Sequence, residues 1–220
     1  YQSASFEYHV QSQVSNQGTQ NQETKTYSYN EDGSLIAITN SNSQGKQAAY
    51  DYDAQQRLIR ATLQQGNQAE VCSYTYDYEG NRTSKTKDDT ETIYYVNDTE
   101  TGYTQVLEEV NEEGTENVYY TRNGAELISM AQSSAKWYYI TDGHGSVRAL
   151  TNEKGAVTDT YCYDAWGSLM QKTGSTSNDY LYTGEQYNAE TGLYYLRARY
   201  IHESANRNIY QHGQLCRKQQ

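Results

Sequence analysis

Residues 137–200 read WYYITDGHGSVRALTNEKGAVTDTYCYDAWGSLMQKTGSTSNDYLYTGEQYNAETGLYYLRARY, and this stretch decides the fold. Aromatic pairs recur along it, each followed within a few residues by Asp, Asn or Thr and then by Gly. The pairs are Tyr138/Tyr139, Tyr161/Tyr163, Tyr180/Tyr182 and Tyr194/Tyr195. Aromatic and β-branched residues at alternating positions are typical of strands, and Gly-containing clusters are typical of hairpin turns. The stretch therefore predicts a series of antiparallel β-hairpins.

The same pattern occurs upstream as an internal repeat. Residues 27–36 (YSYNEDGSLI), 50–59 (YDYDAQQRLI) and 74–82 (YTYDYEGNR) align on Tyr-x-Tyr, an Asp or Asn, and a Gly that is Gln56 in the second copy. Such units of roughly 20–25 residues must stack on their neighbours to bury an apolar face. The residues that carry the structural motif are Tyr27, Tyr29, Gly33, Tyr50, Tyr52, Asp53, Tyr74, Tyr76, Asp77, Gly80, Asp142, Gly145, Tyr161, Tyr163, Asp164, Gly167, Gly184, Gly192, Tyr194, Tyr195, Arg197, Arg199 and Tyr200.

The repeated pattern has a direct physical basis. In Tyr-x-Tyr the two rings point to the same face of a strand, because side chains alternate. The Asp or Asn that follows can cap a tight turn with its own side chain, and Gly supplies the positive φ that such turns require. Because Gln56 lacks this freedom, we expect its turn to be less regular than the others.

Three phrases in order connect the chain with a known family: Asp142 to Arg148 (DGHGSVR), Tyr161 to Gly167 (YCYDAWG) and Thr183 to Tyr200 (TGEQYNAETGLYYLRARY). They resemble the core region that closes Rhs/YD-repeat proteins, which are related to the shell components of Tc toxins and to teneurins. The resemblance implies an all-β fold, in which consecutive antiparallel β-hairpins (YD repeats) form part of a spiralling β-sheet shell. For bacterial polymorphic toxins it also implies a C-terminal toxin held inside the shell and, in many members, an aspartyl self-cleavage that frees it.

The chain departs from the family pattern where self-cleavage would be encoded. The Pro-x-x-Gly turn and the aspartates expected beyond Tyr200 are absent, and the chain contains no Pro at all. Two carboxylates must lie close enough to share a proton for that chemistry, and no such pair can be nominated. We therefore expect no catalytic residues and no enzymatic activity in this chain.

The repeats and the resemblance divide the chain into four segments. Residues 1–26 are interpreted as a partial upstream repeat, 27–125 as YD repeats with a degenerate acidic stretch at 88–118, and 126–200 as the Rhs core domain. Residues 201–220 form a tail unlike the family. A one-base shift in a back-translated coding sequence restores a family-like continuation, so this tail is interpreted as a frameshift product. The start at Tyr1, within a repeat, indicates a fragment of a longer protein.

The acidic stretch contains ten carboxylates and no basic residue. They are Asp88, Asp89, Glu91, Asp98, Glu100, Glu108, Glu109, Glu112, Glu113 and Glu116. A calcium site is one interpretation, because oxygen ligands are plentiful. However, no Asp-x-[Asp/Asn]-x-[Asp/Asn]-Gly loop is present, and charged residues on sheet edges commonly discourage edge-to-edge pairing. We favour a solvated edge, and we expect no metal and no cofactor.

Composition excludes further classes of function. A net charge of -11 argues against nucleic-acid binding, which needs a basic surface. Mean hydropathy is -1.02, but the 25 Tyr residues can line a sheet with rings that are apolar except at the tip. No run of about 18 apolar residues predicts a membrane span, and no signal peptide is visible. The parent protein is expected to be secreted or at the cell surface.

Two sets of residues invite a chemical role but favour a structural one. His144 lies between two glycines near Asp142 and Ser146, and since a triad requires three-dimensional geometry, a turn is expected here. The cysteines (Cys72, Cys162 and Cys216) are too few and too widely spaced for a disulfide framework or a zinc site. Cys162, between two strand tyrosines, is predicted to be a small core residue.

Aromatic and basic side chains near the C-terminus are also interpreted structurally. Trp137 and Trp166 could stack on sugars, but single tryptophans within strand–turn patterns are more often core anchors. Arg197 and Arg199 occupy alternating positions and are predicted to share a face. They are expected to pair with carboxylates such as Glu185 or Glu190.

The expected function is therefore a structural one. The chain is interpreted as part of a shell that encapsulates and delivers a C-terminal toxin in interbacterial competition or toxin export. Its expected partners are neighbouring YD repeats of the parent shell and the enclosed toxin. The alternative is a module of a wall-associated protein that binds carbohydrates or cell-surface glycans. A hydrolytic enzyme is disfavoured, because no nucleophile–base pair is found.

Overall fold

A computed structural model describes residues 11–15, 22–100, 102–115, 117–197, 199–202 and 207–209. These residues form nineteen β-strands and one short 3-10 turn (Tyr182–Gly184), with no α-helix. The predicted all-β fold is confirmed.

Fifteen strands form one large antiparallel sheet, here called the wall, in which each strand pairs with the next along the chain. They are β1 (Ser12–Ser15), β2 (Glu23–Tyr29), β3 (Leu35–Asn40), β4 (Lys46–Tyr52), β5 (Leu58–Gln65), β6 (Gln68–Tyr76), β7 (Arg82–Lys87), β8 (Glu91–Asp98), β9 (Gln105–Asn111), β10 (Val118–Asn123), β11 (Glu126–Gln132), β12 (Ala135–Thr141), β13 (Val147–Asn152), β14 (Val157–Tyr163) and β15 (Leu169–Thr173). The wall continues across the predicted boundary between residues 125 and 126.

Four short strands form a second antiparallel sheet, here called the insert. They are β16 (Gln186–Asn188), β17 (Leu193–Tyr195), β18 (Tyr200–His202) and β19 (Arg207–Ile209). β18 extends into the predicted tail and β19 lies within it, while residues 203–206 and 210–220 of that tail lie outside the described residues. The frameshift interpretation remains a prediction.

The turns of the wall repeat one set of hydrogen bonds, which explains the Asp or Asn of the sequence pattern. Asp53 Oδ1 accepts the backbone N–H groups of Gln55 at 2.9 Å and Arg57 at 2.8 Å. The same pair of bonds forms at Asn30, Asp77, Asp142, Asn152 and Asp164. One oxygen thus satisfies two donors that the turn leaves outside the ladder.

The turn that contains Gln56 is as regular as the others, so the expected irregularity is wrong. Gln56 adopts a φ of 61° in the position where the other repeats have Gly. A left-handed conformation costs a side-chain-bearing residue about 1–2 kcal/mol. Its side chain offsets this cost by accepting from Asn30 Nδ2 at 3.2 Å and donating to Asp32 Oδ2 at 2.7 Å in the preceding turn.

One tyrosine on each even-numbered strand from β2 to β14 lines the inner face of the wall. These seven equivalent tyrosines are buried: Tyr27, Tyr50, Tyr74, Tyr95, Tyr120, Tyr139 and Tyr161. The second tyrosines of the pattern pack partly buried against the same cores: Tyr29, Tyr52, Tyr76 and Tyr163. The predicted shared face of Tyr-x-Tyr is confirmed.

Two predicted core residues point outward instead. Cys162 is exposed, because it lies between Tyr161 and Tyr163 on β14 and strand side chains alternate. Trp166 is 64% exposed at the tip of a turn, whereas Trp137 is partly buried against the core as predicted.

The acidic stretch is largely solvated, as predicted, but it is not an edge of the sheet, so that part of the prediction is wrong. β8 and β9 pair with each other and with the strands on either side, and six of the ten carboxylates are exposed on strands and turns in the middle of the wall. Glu109 is only 6% exposed and lies on the inner face.

Candidate functional site: the seam between wall and insert

The insert is enclosed by two halves of the wall. Leu193, Tyr195 and Tyr200 join a buried cluster with inner-face residues of β2 to β6. Tyr194, on the opposite face of β17, joins a second cluster with inner-face residues of β8 to β14, together with Tyr180 and Leu181. Since successive strand residues point in opposite directions, the wall must curve around the insert to reach both faces. All three residues of β17 are buried.

The contact between the wall and the insert is here called the seam. Arg82 is one of the charged residues that interrupt the apolar inner face of the wall at this seam. It is the first residue of β7, in the position after the turn where β3 and β5 begin with Leu35 and Leu58. Like these leucines it is buried, with 4% of its surface exposed. A buried arginine requires partners, and the seam supplies several.

The partners of Arg82 come from both sheets. Its guanidinium carbon lies 4.5 Å from the ring centre of Tyr95 on the wall and 4.3 Å from that of Tyr195 on the insert. Its Nη2 donates to Gln186 Oε1 at 2.7 Å, and its backbone N–H donates to the Tyr195 hydroxyl at 3.0 Å. Cation–π contacts gain strength when they are desolvated, so these contacts join β7 to the insert.

The hydrogen-bond network continues from Gln186 to a buried carboxylate. Gln186 Nε2 donates to Glu109 Oε1 at 3.0 Å, and the hydroxyl of Tyr120 donates to the same oxygen at 3.1 Å. One amide of the insert therefore bridges the guanidinium of β7 and the carboxylate of β9.

A second cation lies three residues further along β7. Lys85 Nζ is 3.9 Å from Asp179 Oδ2 and 3.7 Å from Glu190 Oε2, and its side chain is only 9% exposed. Both carboxylates belong to the C-terminal segment. Glu190, one of the two carboxylates named as examples of partners for the C-terminal arginines, lies instead within ion-pair distance of Lys85 across the seam.

Burial at the seam raises the pKa of two carboxyl groups, those of Glu109 and Asp179. Burial, with a further contribution from the nearby carboxylate of Asp179, raises the pKa of Glu109 to about 7. Burial also raises the pKa of Asp179, although Lys85 opposes this effect. Burial raises the pKa of the surrounding tyrosines, including Tyr95 and Tyr120, so they are neutral donors at physiological pH.

The second tyrosine of the repeat pattern links neighbouring hairpins. The hydroxyl of Tyr52 donates to the carbonyl of Leu35 in the preceding hairpin at 2.7 Å. β3 and β4 pair only at Ala37–Ala49 and Ile38–Ala48, so this carbonyl lies beyond the end of their ladder. The same bond joins Tyr76 to Leu58 at 2.5 Å and Tyr163 to Val147 at 2.8 Å. A tyrosine hydroxyl thus joins adjacent hairpins near their turns, where the strands no longer pair through their backbones.

Arg197 pairs with Glu185 as predicted, with Nη1 and Oε2 2.8 Å apart. Its Nε also donates to the carbonyl of Thr104 at 2.7 Å, and its guanidinium carbon lies 3.9 Å from the ring centre of Tyr103. The predicted shared face with Arg199 is wrong. β17 ends at Tyr195, and Arg197 adopts a φ of 58° outside any strand.

Two predicted glycines of the C-terminal phrase adopt a left-handed backbone conformation. Gly184 and Gly192 have φ values of 68° and 67°, and a Cβ on Gly184 would lie 3.1 Å from the carbonyl oxygen of Gly145. His144 is an exposed turn residue, as predicted, and its N–H donates to Asp142 Oδ1 at 3.0 Å.

Sequence reasoning missed four polar residues of the seam: Arg82, Lys85, Glu109 and Gln186. A signal was present for Arg82, because it occupies the place of Leu35 and Leu58 in the aligned repeats. Lys85, Glu109 and Gln186 carry no comparable signal, since their meeting depends on contacts between distant segments.

The family model described as Teneurin YD-shell matches residues 43–207. The chain belongs to the YD-shell family. The match covers wall strands from β4 onward together with β16 to β18 of the insert, so the matched region includes strands of both sheets.

Curated relatives include two bacterial WapA proteins. The tRNA3(Ser)-specific nuclease WapA of Bacillus spizizenii and the tRNA nuclease WapA of Bacillus subtilis are each 34% identical over 165 residues, which is 73% of this chain. Salivary gland surface protein 1 of Aedes aegypti is 26% identical over 83% of the chain. The YD-shell chain spans only 7% of the length of each WapA protein and 6% of the mosquito protein.

Solved structures of Tc toxins share the fold. The crystal structure of TcdB2-TccC3-TEV matches with a TM-score of 0.59 and 16% identity, over 86% of this chain and 12% of that chain. The Photorhabdus luminescens Tc holotoxin pore matches with a TM-score of 0.56 and 17% identity, over 86% and 12%. The YD-shell domain described here therefore has the fold found in part of these assemblies.

Within the described ranges, no cluster of three or more His, Cys, Asp or Glu side chains is arranged to hold a metal ion. The same part of the chain contains no helix of the length and apolar character that a membrane span requires.

Proposed function

We propose that this YD-shell chain is a wall segment of a shell that encloses and delivers a C-terminal toxin, in interbacterial competition or toxin export. One observation carries the proposal: the wall curves around the chain's own C-terminal strands and buries both faces of β17. A polypeptide joined after these strands would start from the inner side of the wall.

We also propose that the chain itself is not catalytic. The WapA relatives are named as nucleases, but the matched region is 7% of their length and overlaps the YD-shell match. The acids of the seam are held by Tyr120, Gln186 and Lys85 in a packed contact between two sheets. Such an arrangement suits adhesion between sheets better than turnover of a substrate.

Electron cryomicroscopy of the complete gene product tests the shell. We expect a hollow particle whose wall contains these hairpins, with density for the C-terminal part of the chain inside it. An extended or solid particle, or a C-terminal domain outside the wall, would contradict the proposal.

A nuclease assay tests the absence of catalysis. The purified 220-residue chain, incubated with total tRNA, should give no more cleavage than buffer alone. Cleavage that copurifies with the chain and disappears in Glu109→Gln would refute this part of the proposal, whereas cleavage that persists in the variant would indicate a contaminant.

One observation favours the alternative of glycan binding. The indole of Trp166 is 64% exposed at the tip of a turn, where it could stack on a sugar ring. A glycan array compares the chain with Trp166→Ala. Micromolar binding that the substitution abolishes would support this second function, and its absence would leave the shell role.

We propose a secreted or surface location for the parent protein. The mosquito relative is named a surface protein, which supports this location. Fractionation of the native organism, with an antibody against this chain, is expected to place the protein outside the cytoplasm.

A further inference from the structure

Arg82 lacks a full set of hydrogen-bond partners. Its side chain is 4% exposed, and neither Nε nor Nη1 has a hydrogen-bond partner in the described structure. A guanidinium has five N–H donors, and buried donors without partners are unfavourable. The rings of Tyr95 and Tyr195 contact it through their π faces, so they do not replace conventional acceptors for these two groups.

A small cavity lies beside Arg82 at the seam. Its volume is about 20 Å³, and residues of the wall and of the C-terminal segment line it, among them Asn97, Gln186 and Arg197. A buried water needs about 10–15 Å³, so the cavity has room for one water-sized molecule or ion. Because the guanidinium donors lie in the plane of the group, a ligand that approaches its edge can accept from Nε or Nη1.

The charge balance favours an anion over a water. Two arginines, Arg82 and Arg197, line the cavity, and its one carboxylate, Glu185, is already paired with Arg197 at 2.8 Å. No ion pair joins Arg82 to a carboxylate among the described residues. Glu109 and Asp179 are near enough for the charge of Arg82 to act on them, but neither forms an ion pair with it, because the amide of Gln186 separates Arg82 from Glu109 and Asp179 pairs with Lys85. A buried charge without a directly paired counter-ion is unfavourable, and a water does not neutralise it.

We propose that this cavity binds one small monovalent anion, of the size of chloride, as the counter-ion of Arg82. The ion accepts N–H groups of the guanidinium on the wall side, and the segment that carries Gln186 and Arg197 covers it. Its binding therefore stabilises the contact between wall and insert.

Thermal unfolding of the 220-residue chain tests the proposal. The melting temperature is measured at pH 6 in sodium chloride and in sodium gluconate of equal ionic strength, because gluconate screens charges but is too large for the cavity. At a chloride concentration about ten times Kd, we expect a Tm about 3–5 °C higher in chloride. Equal values in the two salts over the full concentration range would overturn the proposal.

Two variants and one crystallographic measurement locate the ion. Arg82→Gln should abolish the difference between the salts, whereas Arg57→Gln should keep it, since Arg57 contacts the ring of Tyr76 and pairs with Asp53 outside the cavity. If Arg82→Gln does not fold, a bromide soak of wild-type crystals decides. An anomalous peak within hydrogen-bond distance of Arg82 supports the site, and water density without anomalous signal refutes it.

Discussion

Replacing Glu109 by Gln tests the electrostatics of the seam most directly. The amide has the same shape and keeps an oxygen that can accept from the hydroxyl of Tyr120 and the amide of Gln186, as Oε1 does now. It differs from the carboxyl in that it cannot ionise. The substitution therefore removes the titration of this site with little change in packing.

The sign and size of the effect follow from the raised pKa of Glu109. Below its ordinary value of 4.5 the carboxyl is protonated in both folded and unfolded chains and contributes no pH dependence. Between 4.5 and about 7 the folded chain keeps a proton that the unfolded chain has lost, so stability falls as the pH rises. Each pKa unit corresponds to about 1.4 kcal/mol. The loss amounts to about 3 kcal/mol by pH 7 and is constant above it.

Urea denaturation at pH 5 and at pH 8 measures this difference. The wild-type chain should lose about 2.5 kcal/mol more of its unfolding free energy between these pH values than Glu109→Gln does, because a small part of the loss has already occurred at pH 5. Glu108→Gln is the matched control, because it removes the same charge from the neighbouring position on β9, which is only half buried. A wild-type chain whose pH dependence equals that of Glu109→Gln would refute the reasoning.

Three further predictions concern the wall. Tyr52→Phe should lower the unfolding free energy by about 1–3 kcal/mol by leaving a carbonyl without its donor, while Tyr78→Phe, at a ring 93% exposed, should change it by less than about 0.5 kcal/mol in urea denaturation. Gly167→Ala and Gly155→Ala both force a side chain into positive φ, at 90° and 77°. Only the first Cβ meets a neighbour, 2.6 Å from Tyr182, so calorimetry should show a lower Tm for Gly167→Ala than for Gly155→Ala, and equal values would contradict this. The isolated chain should self-associate through β1 and β15, the end strands of the wall among the described residues, and light scattering that reports a stable monomer at high concentration would argue against it.

The repeated turn could be derived from sequence because all its partners are local. Asp53 caps donors two and four residues ahead, and strand alternation places Tyr50 and Tyr52 on one face. Local chemistry is encoded within a few residues, so a single repeat is enough to predict it. The same rule places Cys162 on the outer face, because its neighbours Tyr161 and Tyr163 both face the core.

The turn at Gln56 shows where a local rule is insufficient. Its left-handed backbone is stabilised by side chains of the preceding hairpin, Asn30 and Asp32. A residue-by-residue rule that assigns positive φ to Gly does not include contacts between repeats, and these contacts decide the geometry here.

The seam could not be derived from sequence because its contacts are long-range. Arg82 and Gln186 are separated by 104 residues, and Gln186 and Glu109 by 77. Burial of Glu109 depends on its contact with β16, and no sequence pattern around residue 109 predicts this contact. From the sequence alone only the charge of Glu109 is known, and a charged side chain is expected at a solvated position. In the structure Glu109 is buried instead.

The position of β17 between the two halves of the wall has a consequence for synthesis at the ribosome. Chains emerge from the N-terminus, so every hairpin of the wall is made before the strand that the wall finally surrounds. Until Leu193, Tyr194 and Tyr195 are synthesised, the tyrosines of the inner face are exposed to water. The two buried clusters can therefore be completed only after β17, which is made after all the strands of the wall, has been translated.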